Sequence, residues 1–328
     1  MTNLEYANAR IKGLKGRLLQ QNDIKIALEL KAVQDFAVWM ESTPYKSVLA
    51  GKGISDIETA LFREWINTNE KIMKLMPEDI QGFFAARTSS QEIEALKFIV
   101  SAKKSGRDAG VYAVFLSRGM KSRGKKLAEA ETVESLADIL GRTDYGFLLK
   151  KALEEKKDIS HELERYYFEN LWALTEKLSG DYRETAEKLI GTEIDAANIM
   201  SILRSKALGR QEHDIIPVYH RFGRGGVHES LKADGVSGVL SVISQGTYGK
   251  VLEEVAQKFD KDKSLFHFEQ ALSRHVLRVY RKGIMDVLGI GVPLAYLRLK
   301  ETEITNLRSI ALGLENGLDK SDIEEMIS

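Results

Sequence analysis

The feature that most limits how this chain can fold is a tyrosine that returns with its neighbours. Tyr45, Tyr145 and Tyr248 stand roughly one hundred residues apart. Phe36, Leu136 and Val239 precede them by the same interval, as do Trp39, Ile139 and Val242, and again Met40, Leu140 and Ile243. Val48-Leu49, Leu148-Leu149 and Val251-Leu252 follow. Apolar residues at these intervals lie on one side of a 3.6-residue helix. Between the two apolar groups sit Thr43-Pro44, Gly141-Arg-Thr143 and Gly246-Thr247, residues that break helices. Each copy therefore reads as helix, break, helix.

Two further elements recur at the same interval and in the same order. One starts at Ile57-Glu58, Leu163-Glu164 and Phe268-Glu269, with Leu61, Tyr167 and Leu272 and then Trp65, Leu171 and Val276 along one helical stripe. The other carries an acid at Glu92, Asp195 and Glu303. Each acid is followed by Leu96, Ile199 or Leu307 and then by Ile99, Ile202 or Ile310. The second and third copies also share an asparagine, Asn198 and Asn306, where the first has Ala95. Three elements repeated three times make a tandem triplication. A period of this length marks a small domain, since solenoid units run roughly 20–50 residues.

The expected domains are residues 1–110, 111–212 and 213–328, all helical. His213 to Gly226, with Pro217 and the glycines of Arg221-Phe-Gly-Arg-Gly-Gly226, reads partly as linker. Helical patterns run over Ile24 to Trp39, Tyr45 to Leu49, Ile57 to Met76, Glu92 to Ala102, Ile194 to Leu208 and Leu307 to Leu314, with a short last helix from Ser321. Val111 to Leu116 is the one run that could be extended, and it is read as helix. With 43% hydrophobic residues, 29% charged and four prolines in 328, the chain fits a helix-rich globular protein.

Composition also narrows function. There is no cysteine, which removes disulfides and thiolate metal sites and suits a reducing compartment. No apolar run reaches the roughly 20 residues that span a bilayer. Lys plus Arg equals Asp plus Glu at 48 each, a balance without the basic footprint of a nucleic-acid protein.

Reactive chemistry is thinly represented. Gly223-Arg-Gly-Gly226 lacks the spacing and the Lys-Ser/Thr of a phosphate loop, and Gly246-Thr-Tyr-Gly-Lys250 falls on a helix break. His213, His220 and His228 match no common metal-ligand spacing. Glu92, Asp195 and Glu303 are read as helix-start acids that compensate the dipole, a structural role and not an acid–base pair. No catalytic residue, cofactor or metal is expected. The basic stretch Arg118-Gly-Met-Lys-Ser-Arg-Gly-Lys-Lys126 could meet phosphates and supports an alternative: a soluble helical scaffold that binds RNA or acidic lipid.

Several short motifs together resemble a known family. Tyr6-Ala-Asn-Ala-Arg10 with Arg17-Leu-Leu19, Glu193-Ile-Asp195 with Asn198-Ile199 and Ile202-Leu203-Arg204, and Pro293-Leu-Ala-Tyr296 with Glu301-Thr-Glu-Ile304 and Asn306-Leu-Arg308 resemble the C subunits of archaeal and bacterial A/V-type rotary ATPases, homologous to the d subunits of vacuolar ATPases. The resemblance implies an all-α funnel of three homologous domains with pseudo-threefold symmetry. It implies a non-catalytic part of the central stalk, a socket between the central shaft and the proteolipid ring in the membrane, coupling ATP hydrolysis or synthesis to proton or sodium transport. Such a protein lies at the cytoplasmic face, peripheral to the membrane, which it meets only through the complex. Arg10, Lys12 and Arg17 are then candidates for facing the ring.

Overall fold

A computed structural model describes residues 4–46, 53–106, 126–127, 129–212, 215, 225–286 and 288–327. Among these residues the secondary structure is helical throughout, with no strand. None of the described helices is long and apolar enough to cross a membrane. Contacts divide the chain into two compact units. The first takes Met1–Leu174 together with Lys300–Ile327, and the second takes Thr175–Leu299.

The first unit opens with α1 (Leu4–Lys15), α2 (Gln21–Leu28) and α3 (Val33–Glu41). The sequence pattern predicts one helix from Ile24 to Trp39, whereas the chain makes two, with Ala32 extended between them. The reason lies in the apolar faces. Ala27 and Leu28 are buried on α2, and Val33, Phe36, Ala37 and Met40 on α3. In one unbroken helix those two faces would point about 180° apart. The break lets both turn inward. Next come α4 (Ile54–Met73), α5 (Glu78–Thr88) and α6 (Ser90–Lys104).

The second copy gives α7 (Val133–Leu140), α8 (Asp144–Glu154), α9 (Ile159–Thr175) and α10 (Gly180–Ala207). Thr132 opens α7 as its cap, accepting from the Ser135 N–H at 3.1 Å while its own N–H donates to Ser135 Oγ at 3.1 Å. Such reciprocal capping satisfies two donors that a helix start leaves unpaired. Thr143 caps α8 by accepting from the Gly146 N–H at 3.2 Å.

After a short 3₁₀ turn at Glu229–Lys232, the third copy forms α11 (Gly235–Ile243), α12 (Gly249–Asp262), α13 (Phe266–Gly283) and α14 (Gly291–Glu315). A last helix, α15 (Lys320–Met326), follows. The core of the second unit joins Ile199, Met200, Ile202 and Leu203 of α10 to Val239, Ile243, Tyr248, Leu252, Phe259, Phe268 and Leu272. Burying each such side chain contributes about 1.5–3 kcal/mol. This core takes residues from both sides of the 212/213 repeat edge. Here the closing helix of one repeat packs with the repeat that follows it in sequence, not only with its own.

Equivalent turns carry equivalent steric demands. A Cβ on Gly146 would stand 2.3 Å from the Gly141 carbonyl oxygen, and one on Gly249 would stand 2.1 Å from that of Ser244. Both glycines directly follow the repeated tyrosine. In the first copy that position is Lys46, after a different turn in which the Tyr45 N–H donates to Thr43 Oγ1. Val111 to Leu116 and residues 47–50 lie outside the described residues.

Candidate functional site

The two most regular recurrences in the sequence meet one another. Tyr145 donates to Glu92 Oε2 at 2.8 Å, Tyr248 to Asp195 Oδ2 at 2.8 Å, and Tyr45 to Glu303 Oε1 at 2.5 Å. Each acid is bound by the tyrosine of the next copy, and the last acid by the tyrosine of the first. In sequence order the pairing is therefore cyclic: first copy with second, second with third, third with first. Two joints lie in the first unit and one in the second.

The acids reach these places by different local routes. Glu92 lies in the first turn of α6, as a helix-start acid would. Asp195 and Glu303 do not; they sit inside the 28-residue α10 and the 25-residue α14, so the dipole reading fails for both. The difference arises one turn earlier. Thr88 Oγ1 and Ser89 Oγ donate back to the carbonyls of Ala85 and Ala86, at 3.0 and 2.8 Å. Thr192, at the place of Ser89, donates back in the same way to the Lys188 carbonyl at 2.7 Å inside an unbroken helix, so back-bonding alone does not set the interruption. At the places corresponding to Ser89, Thr192 and Lys300, the helix runs on.

The joint formed by Tyr45 and Glu303 holds an additional cation. Lys300, one turn before Glu303, places Nζ 2.8 Å from Tyr45 Oη and 3.0 Å from Glu303 Oε1, with the ammonium 4.2 Å from the centre of the Tyr45 ring. Glu303 Oε2 accepts from the Leu19 N–H at 2.5 Å. Tyr45 is 1% exposed, Lys300 5% and Glu303 7%, so the charges are paired out of solvent. At the Tyr248 joint Asp195 is fully buried, and the His275 ring packs against Tyr248 edge-on at 5.4 Å. Burial, helped by Arg278 and Lys282, lowers the His275 pKa and favours its neutral form.

The Tyr145 joint is half-exposed. Tyr166 meets the Tyr145 ring edge-on at 5.8 Å and donates to Asp144 Oδ2 at 2.8 Å. Burial, then the Glu92 charge, pushes the Tyr145 pKa far up; burial, then its bond to Asp144, raises that of Tyr166 to about 12. Such phenols hold their protons at neutral pH. They are hydrogen-bond donors there, not acids or bases.

A second set of contacts recurs beside the first. Arg87 Nη2 lies 3.1 Å from Glu301 Oε2, and Arg298 Nε lies 3.7 Å from Glu193 Oε1. Arg87 and Arg298 each stand five residues before a repeated acid, and Glu193 and Glu301 each two before. The third such pair would use Ile190 and Ser90, neither of which carries a charge. Sequence reasoning named Glu193 and Glu301 only within the family motifs and missed their pairing, although aligning the copies on the three acids brings both pairs into register. Arg87 also donates to Tyr167 Oη at 3.1 Å, and Arg308 Nε donates to Glu58 Oε1 at 2.7 Å while its guanidinium lies 4.3 Å from the Phe98 ring centre.

The other sequence candidates are not brought together with the joints. Arg10, Lys12 and Arg17 are exposed, on α1 and just beyond it, and Arg10 reaches Tyr6 Oη at 3.5 Å. His228 is exposed, while His213 and His220 lie outside the described residues. Of the basic stretch from Arg118, only Lys126 is described, and it is exposed.

Comparison with known proteins follows the same extent as the repeats. The family model of the ATP synthase (C/AC39) subunit matches residues 7–326. The C subunit of the A-type ATP synthase of Desulfurococcus sp. (strain SY) is 30% identical over 332 residues, covering 99% of this chain and 90% of the relative. Its counterpart from Thermococcus onnurineus (strain NA1) is 30% identical with the same coverage. That of Methanothermobacter thermautotrophicus (strain Delta H) is 26% identical over 98% of this chain and 87% of its own length. With a match that takes in all three copies and every joint, the chain belongs to the family of ATP synthase (C/AC39) subunits.

Proposed function

We propose that this chain is the non-catalytic rotor component that joins the central shaft of an A/V-type ATPase or ATP synthase to its membrane ring. In that role it couples ATP hydrolysis or synthesis to proton or sodium transport. The observation that carries the reading is the closed cycle of tyrosine–carboxylate joints within a chain that matches the family from end to end. A part that passes torque must resist shear between its repeats. Buried, charge-assisted hydrogen bonds are directional and cost several kcal/mol to break, which suits that demand.

In this reading the three repeats, 1–110, 111–212 and 213–328, surround a pseudo-threefold axis as a funnel. The hollow receives the shaft, and the rim meets the proteolipid ring at the inner face of the membrane. The exposed cations Arg10, Lys12 and Arg17 are candidates for that rim. Balanced net charge favours a polar, reversible contact over an apolar seal.

Deleting the chain from the assembled motor and measuring two activities separately tests the role. ATP hydrolysis by the head should continue while ATP-driven ion transport is lost. Transport that persists at near-normal coupling would overturn the reading.

A further inference from the structure

The three joints are built to one plan, and one of them shows what the plan can bind. At the Tyr45 joint a primary ammonium, Lys300 Nζ, sits between the phenol oxygen and the carboxylate and against the tyrosine ring. At the Tyr145 joint the corresponding residue is Ser89, and among the described residues no cation is bonded to Glu92. Its Oε2 accepts from Tyr145, and among the described residues its other oxygen takes no hydrogen bond. The Tyr248 joint also lacks the lysine, having Thr192 instead, but there the shorter Asp195 is fully buried and closed to solvent. Only the Tyr145 joint combines a missing cation with access.

That access is a cavity of about 400 Å³, lined by Glu92, Arg142, Thr143, Asp144, Tyr145 and Tyr166. Three of its lining residues have no counterpart in either other copy, among them Asp144, which stands where they have Pro44 and Thr247. Tyr166 stands where they have Ala60 and Ala271, and Arg142 where they have Ser42 and Gln245. Two carboxylates face one guanidinium, which leaves the cavity net acidic. Asp144, like Glu92, uses a single oxygen, the one bonded by Tyr166. Two tyrosine rings add faces that attract cations.

We infer that this cavity is a binding site for a lysine side chain supplied by a partner polypeptide, whose ammonium takes at Tyr145 and Glu92 the role that Lys300 plays at Tyr45 and Glu303. The site goes beyond the socket reading, since it follows from the chemistry of the joint whatever the chain is attached to. The incoming ammonium donates to the Glu92 carboxylate and to Tyr145 Oη, as Lys300 does to Glu303 and Tyr45, while Tyr145 keeps its own proton on Glu92. Asp144 offers a second acceptor, and Arg142 at the exposed edge suits an acidic neighbour of that lysine.

The test uses the intact chain with ¹³C-labelled tyrosine rings and acetyl-lysine methylamide as probe, at constant ionic strength. Tyr145 and Tyr166 signals, assigned through Tyr145→Phe and Tyr166→Phe, should shift saturably, while those of Tyr45 and Tyr248 stay in place. The Nε-acetylated probe, which is neutral, should produce no shift, and Glu92→Gln should weaken the response by tenfold or more. A Tyr145 signal that does not move, or moves equally with the neutral probe, overturns the inference. So does a Glu92→Gln chain that responds like the unmodified one. If that variant does not fold, the charged and neutral probes on the unmodified chain still decide the matter.

Discussion

The joint that closes the chain and the joint between the first two copies use the same two side-chain types, and they differ in everything placed around them. Glu92 and Tyr145 are 53 residues apart, whereas Tyr45 and Glu303 are 258 apart. Loop-closure entropy grows with the logarithm of separation, so the longer closure costs about 1–2 kcal/mol more from the unfolded chain. At that joint the additional contacts concentrate: Lys300, the Leu19 N–H, and nearby Arg87 with Glu301 and Arg308 with Glu58. At the shorter joint, among the described residues, the acid takes one hydrogen bond, the helix is interrupted before it, and Ser90 and Ile190 form no ion pair. Polar contacts gather where chain connectivity helps least.

The sharpest way to break this comparison is to remove each acid in turn. Glu303→Ala leaves the buried Lys300 ammonium, the Tyr45 hydroxyl and the Leu19 N–H without their acceptor. Removing one partner of a buried charge pair costs about 3–5 kcal/mol. Glu92→Ala removes one half-exposed hydrogen bond and should cost about 1 kcal/mol. Urea unfolding of the two variants measures both. Equal losses would mean that the contacts around Glu303 add nothing to closure.

A double-mutant cycle sharpens it further. Arg87→Met removes the cation opposite Glu301, and Glu301→Gln the anion opposite Arg87; each should destabilise by about 3 kcal/mol. The double variant should lose clearly less than the sum, because it removes both charges together. The exposed pair Arg204–Glu269, at 2.8 Å but with both side chains more than half in solvent, is the control. Its cycle should give at most about 1 kcal/mol. Additive losses at Arg87 and Glu301 would show that the pair is not coupled.

The third comparison is between the turns themselves. Gly146→Ala and Gly249→Ala each push a Cβ into a backbone carbonyl, which cannot move aside as a side chain can. Overpacking of this kind costs about 1–3 kcal/mol. Lys46→Ala, at the matching place in the first copy, should stay within about 0.5 kcal/mol. Thermal unfolding of the three variants ranks them. A large loss at Lys46 would mean that the first turn is built like the other two.

Much of this was legible before any coordinates. Helix content followed from apolar spacing, and Tyr45, Tyr145 and Tyr248 and the acids at Glu92, Asp195 and Glu303 stood out by recurrence. What a period does not carry is phase. It shows that elements return but not which neighbours they pack against, and the core joining Ile199 and Leu203 to Val239 and Tyr248 crosses the 212/213 edge. The same limit hid the joints, since nothing local links Tyr45 to an acid 258 residues away. Reading the acids as helix starts failed at Asp195 and Glu303 because the helix interruption at Ser89 occurs in one copy only. Lys300 escaped notice because it has no counterpart in the other copies.

The smallest expected effect separates the Tyr145 joint by its response to alkali. An unperturbed phenol ionises near 10.0, and Tyr166 in the folded chain near 12, with Tyr145 higher still. Below pH 10 both phenols are protonated whether the chain is folded or not, so they give stability no slope. Above it the unfolded chain loses these protons first, and the folded chain binds more of them. Stability from this source is therefore fully present below pH 10 and falls as pH rises through about 12. Tyr166 has alanines at the matching positions of the other copies, so this part of the slope belongs to one joint alone. Tyr166→Phe should change stability little at neutral pH and flatten the decline between pH 10 and 12. Tyr145→Phe should flatten it as well and extend the difference to higher pH, at the added cost of the Glu92 bond. Urea midpoints measured at steps across that range give the slopes directly. If Tyr166→Phe follows the unmodified chain at every pH, neither burial nor the Asp144 bond holds the phenol proton, and the distinct character of this joint rests on Glu92 and Tyr145 alone.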